Sequence, residues 1–92
     1  MLLLKERRFQ KRVQVTLPVN YVYTVDQRVV TKNSSTDNLS DSGLSFYSDR
    51  PLKKGSNLRV QLNHIWDVPK DSRVMWCNRK KYNLYKIGVV FQ

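Results

Sequence analysis

Seven consecutive odd-numbered positions, Val13, Val15, Leu17, Val19, Tyr21, Tyr23 and Val25, are all apolar or aromatic, while the even positions between them are mostly polar. Side chains fall on two alternating faces only in extended chain, so this stretch is a strand with one face on a core and one in water. Pro18 has no N–H to give to a ladder and marks an edge or a bulge there. The same period returns at 28–31, at Leu44 and Phe46, at Leu58, Val60 and Leu62, at Val74 and Trp76, and at Tyr85, Ile87, Val89 and Phe91. No segment has a helical period. Breakers at 51–57 and 67–71 separate the strands, and residues 77–83 read as a polar hairpin tip. About six short strands at regular spacing predict an all-β fold, an antiparallel barrel or sandwich. Residues 32–43, with Leu39 as their only apolar side chain, read as a loop of the kind that carries function. Tyr21, Tyr23, Phe46 and Phe91 are expected in the core, and Trp76, on the strand face of Val74, is expected there too.

The chain has 92 residues, one domain's worth, and divides into a basic arm at 1–12 and a barrel at 13–92. Its 17 Lys and Arg against 7 Asp and Glu give a formal charge of +10, which opposes compaction and points to an anionic partner: nucleic acid, an anionic membrane surface or a phosphate-bearing ligand. The one apolar run, Met1-Leu2-Leu3-Leu4, is too short for a spanning helix or a signal-peptide core, so no membrane insertion and a cytoplasmic location are expected. The single Cys77 cannot form an internal disulfide, which fits a reducing compartment. One histidine, His64, and one cysteine cannot assemble a metal site of the usual spacing, and the aspartates fall mainly in turn-like contexts. The expectation is a binding protein rather than an enzyme, with no catalytic residues, no metal and no cofactor.

Two clusters stand out. In the arm, Arg8 and Arg12 are four residues apart, flanked by Arg7 and Lys11. The arginine fork grips guanine O6/N7 or a phosphate with two hydrogen bonds and stacks on purines. With little apolar surface after Leu4, the arm is expected to be flexible until an anion orders it. The second cluster, Asn38-Leu39-Ser40-Asp41-Ser42-Gly43, has turn composition. It offers an amide, hydroxyls and backbone N–H groups that a ligand can approach closely at Gly43.

Arg8-Phe9-Gln10-Lys11-Arg12 matches the R-x-x-x-R motif of PilZ domains, and Asn38 to Gly43 matches their (D or N)-x-S-x-x-G motif, in the right order. The opening Glu6-Arg7-Arg8 and the closing Tyr85-Lys86-Ile87-Gly88-Val89-Val90-Phe91 also resemble that family, so the likeness covers about residues 6–91. It implies a six-stranded antiparallel β-barrel that binds cyclic di-GMP, a bacterial second messenger, often as two intercalated molecules. Carried over, Arg8 and Arg12 would hold guanine and phosphate groups, Arg7 would help neutralise the phosphates, Asn38 and Ser40 would hydrogen-bond the ligand, and Gly43 would leave room for it. The domain would act as a receptor or adaptor that signals to a downstream protein partner by ordering its arginine arm over the ligand. Family members commonly continue into a helix, whereas here Gln92 directly follows the last strand, so no helix or a truncated one is expected. The alternative is a small barrel binding single-stranded nucleic acid, disfavoured because the aromatics fall on buried faces. A barrel turned into a pure protein adaptor is disfavoured by the intact motif residues.

Overall fold

The computed structural model describes residues 13–92, the side chain of Val13 excepted, so Arg7, Arg8 and Arg12 and the expected flexibility of the arm lie outside the described residues. Seven strands follow in chain order: β1 (Val13–Gln14), β2 (Pro18–Val25), β3 (Arg28–Leu39), β4 (Gly43–Ser48), β5 (Asn57–Gln61), β6 (Lys70–Lys81) and β7 (Leu84–Phe91). All pair antiparallel in the order β1-β3-β2-β5-β6-β7-β4, and β4 pairs back onto β3. Strands β2 to β7 therefore close a six-stranded antiparallel barrel, as the sequence predicts. There is no helix among the described residues.

The alternating face of β2 fills this barrel. Val19 and Tyr21 are almost fully buried among Leu44, Phe46, Val60 and Ile87. The Tyr21 ring packs on Phe46 with centroids 4.5 Å apart, and its hydroxyl donates to Ser48 Oγ at 3.2 Å. Burial pushes the Tyr21 phenol pKa up.

Four details differ from the sequence reading. The 32–43 segment is not a loop, because β3 runs through to Leu39. This strand is held by its neighbours rather than by an apolar face: β2 covers Arg28 to Ser35 on one edge, and β4 pairs with the Thr36–Leu39 end on the other. The first strand, conversely, is broken. From Val13↔Leu39 to Pro18↔Ser35 one chain advances five residues and the other four, so one extra residue is accommodated ahead of Pro18. Thr36 fills the break: its Oγ1 accepts from Leu17 N at 2.9 Å and donates to Val15 O at 2.7 Å. The hairpin tip expected over 77–83 shrinks to Tyr82 and Asn83, since β6 continues to Lys81 and Asn83 adopts a φ of 60°.

The fourth difference is Trp76, which is not in the core. Between Val74↔Val89 and Trp76↔Gly88 there are two steps on β6 and one on β7, a bulge at Met75. The extra residue reverses the facing of the residues beyond it, as far as a second bulge between Arg79 and Lys81. Cys77, opposite the buried Ile87, now packs on the core, and Trp76 is carried to the outer surface. Its indole lies across Gly88, where a Cβ would come within 2.1 Å of the ring.

Candidate functional site

The Asn38–Gly43 motif forms the β3–β4 hairpin at one end of the barrel. Asn38 is half-buried between two neighbours, opposite Gln14 on β1 and Ser45 on β4. Ahead of it the β3 bulge between Thr36 and Asn38 turns Asp37 outward, where Lys86 Nζ pairs with its carboxylate and Tyr47 donates to Oδ1 at 3.3 Å. The Asn38 amide donates to Asp37 Oδ2 at 3.2 Å. The bond from Lys86 holds the Asp37 carboxyl below the usual carboxylate range. A carboxyl with a depressed folded pKa stabilises the fold above its unfolded pKa and loses that contribution as pH falls through the folded value. Below about pH 4 the wild type should therefore lose urea resistance that an Asp37→Asn variant does not lose, and parallel pH profiles for the two would overturn this.

Ser40 is buried, and its hydroxyl works inside the hairpin. Oγ accepts from Gly43 N at 3.2 Å and from Ser42 N at 3.3 Å, and is placed to donate to Gly43 O at 3.2 Å. The family resemblance implies that Ser40 hydrogen-bonds a ligand; the geometry also makes it a determinant of the loop. Removing it strands the buried Gly43 N–H at roughly 1 kcal/mol, while the N–H of the exposed Ser42 can turn to water. Ser40→Ala should thus lower the melting temperature by about 4–8 °C, and an unchanged melting curve would overturn this.

Gly43 opens β4 opposite Val90. A Cβ there would lie 2.1 Å from the Val89 carbonyl oxygen and 3.1 Å from its carbon. The room left by this glycine is taken up by the β7 backbone, an account that turn composition did not suggest. Phe91 N donates to Ser42 O at 2.8 Å and ties the end of β7 to the loop. Asp41 and Ser42 stand exposed at its apex.

Two further features converge here. Val13, the residue after Arg12, pairs with Leu39, so the chain that follows the arm enters the barrel beside the motif loop. Ser42, Gly43, Met75, Trp76 and Val90 also line a shallow outer groove, which brings the displaced indole to the same surface. Sequence reasoning missed this position of Trp76; the one available signal was Gly88, a glycine inside a strand pattern, which often marks close approach.

The family model of the PilZ domain matches residues 6–92, nearly the whole chain. The chain belongs to the PilZ domain family. PilZ domains are a family of cyclic di-GMP receptors, binding and adaptor modules rather than catalysts. No curated protein matches the chain. Within this PilZ domain no helix among the described residues is long and apolar enough to cross a membrane.

Proposed function

We propose that this PilZ domain is a bacterial, cytoplasmic receptor for cyclic di-GMP, that it turns over no substrate, and that it signals to a protein partner when ligand orders its arginine arm. The observation that carries the reading is the pairing of Val13 with Leu39. It supports a site in which Arg8 and Arg12, with Arg7 beside them, close over a ligand lying against Asn38 and the Ser40–Gly43 turn. A cyclic dinucleotide carries two phosphates and two guanines, which call for forked cations, a stacking surface and a few amide or hydroxyl partners. Asn38 supplies the amide. The outward indole of Trp76 supplies a stacking face on the adjoining surface.

Calorimetric titration at moderate salt tests this directly. Cyclic di-GMP should bind without being consumed, and GTP, with one guanine and a linear triphosphate in place of a cyclic sugar–phosphate backbone, should bind far more weakly. A short single-stranded oligonucleotide that bound well while cyclic di-GMP gave no heat at large excess would replace this reading with the nucleic-acid one.

A further inference from the structure

Strand β6 is covered on its two edges to different extents. On one edge β7 accompanies it from Ser72 to Lys81. On the other, β5 pairs only from Lys70 to Arg73, and the last contact is Val74, whose N–H and C=O bond Ser56 O and Gly55 N at 2.9 and 2.8 Å. From Met75 to Lys81 that second edge has no strand beside it among the described residues. Beyond Tyr85 the β6–β7 hairpin also outruns β4, so its tip projects from the barrel at the end away from the Asn38–Gly43 loop.

We propose that this open edge of β6 is a docking site for an extended acidic segment of a partner protein, which adds to the barrel as a strand and places one apolar side chain in the recess beside Val74. An unpaired strand edge offers alternating N–H donors and C=O acceptors, a pattern that another peptide backbone matches and a sugar–phosphate chain does not. The edge is strongly cationic. Arg79, Lys80 and Lys81 are exposed, and none makes an ion pair among the described residues. Such charges repel a second copy of the same edge, which protects the protein from pairing with itself, but they attract a strand carrying carboxylates.

The recess supplies the third element. An added strand would continue the line of Gly55 and Ser56 past Val74, and Ser56 and Val74 both line the recess. The recess is lined by Tyr23, Val25, Leu52, Leu58 and Val74, with Arg50 and Lys53 at its border, and its volume of about 270 Å³ has room for one large apolar side chain. Backbone pairing, charge and an apolar anchor thus meet on one side of one hairpin. The edge begins at Met75 and Trp76, beside the groove of the nucleotide site, whereas the recess and the Arg79–Lys81 charges share no residue with that groove.

The probe is a short fluorescent peptide alternating glutamate with leucine, added to the full chain and followed by anisotropy. It should bind, and amide exchange should slow across residues 75–81 but not across 38–43. N-methylation of alternate peptide amides, which keeps every charge, should weaken binding at least about tenfold by removing the ladder bonds. Replacing the leucines with serine should weaken it by emptying the recess. The double variant Arg79→Glu/Lys81→Glu should lose at least about tenfold in affinity while melting as the wild type does. Equal binding of the N-methylated peptide, protection that falls outside 75–81, or a single-stranded oligonucleotide of equal charge giving the same protection with tighter binding would each overturn the assignment.

Discussion

Alanine at position 43 should unfold this domain more readily than any substitution of the motif's polar residues, lowering the melting temperature by more than about 10 °C. The cause is contact between backbones. Gly43 and Val90 are cross-strand partners, and the added Cβ would sit 2.1 Å from the Val89 carbonyl oxygen. A flexible side chain can turn away from such a contact. Here the atom met belongs to β7, which is held on its far edge by β6 and at its end by the Phe91 N–H to Ser42 O bond. Relief requires β4 and β7 to separate at a point where both strands bury their side chains, with Leu44 and Val89 next in line. Overpacking of this kind costs about 1–3 kcal/mol and more where the neighbour cannot move. Each kcal/mol shifts the melting point of a domain this small by about 4–8 °C. Thermal unfolding in the absence of ligand decides the matter: if Gly43→Ala melted with the wild type, the glycine would be there for the ligand alone.

The arginines should show the opposite pattern, a large loss of binding with little change in stability. Arg8→Ala and Arg12→Ala should each lower the affinity for cyclic di-GMP by at least about thirty-fold, since hydrogen bonds to a charged group contribute about 1.5–3 kcal/mol each and a tenfold change is 1.4 kcal/mol. Fixing arm residues would cost about 1–2 kcal/mol apiece, so closure of the arm should require several contacts to form together. The two losses should therefore be non-additive: the double variant should fall little below either single one. Lysine should rescue poorly at both positions, having no planar fork. Melting temperatures should stay within about 2 °C of the wild type if the arm acts on the ligand and not on the barrel. Amide exchange over residues 5–12 should slow when ligand binds. Intact binding by both alanine variants, with exchange in the arm unchanged, would place the site elsewhere.

Ser40, inside the motif, and Asp37, directly ahead of it, lie between these extremes, because each has its side chain engaged within the protein. The Ser40 hydroxyl is engaged with two N–H groups of its own turn, and the Asp37 carboxylate is engaged with Lys86 and Tyr47 while receiving the Asn38 amide. Each shapes the surface that Asn38 and the turn present. A loss of ligand affinity in either variant would therefore need the accompanying melting data before it could be assigned to a missing ligand contact.

Much of this protein was legible in the amino-acid order. The alternation from Val13 to Val25 required a strand with one buried face, and Val19 and Tyr21 are buried as that period demands. The period is local, set by the pleat of a single chain, and so it can be read without knowing any partner strand. Pro18 announced the irregularity of the first strand for an equally local reason, its missing N–H. The two motifs, in their order, carried the family, which the match over residues 6–92 bears out. What the order of residues did not determine was everything that depends on a neighbour. The polar run 32–43 contains most of a strand because β2 and β4 hold its edges, a stabilisation that comes from other segments and leaves no apolar trace in its own. The bulge at Met75 is likewise a property of the pair β6–β7; it inverted the facing of β6 from Trp76 to Arg79, where a second bulge follows, carried Trp76 out to the surface of the motif loop and left Cys77 against the core. Gly43 reads as a turn residue until β7 is in place, and only closure of the barrel puts the Val89 carbonyl where a Cβ would have to go. Period and turn chemistry are written residue by residue, whereas register, bulges and close approach arise only between strands, and here they decided the form of the site.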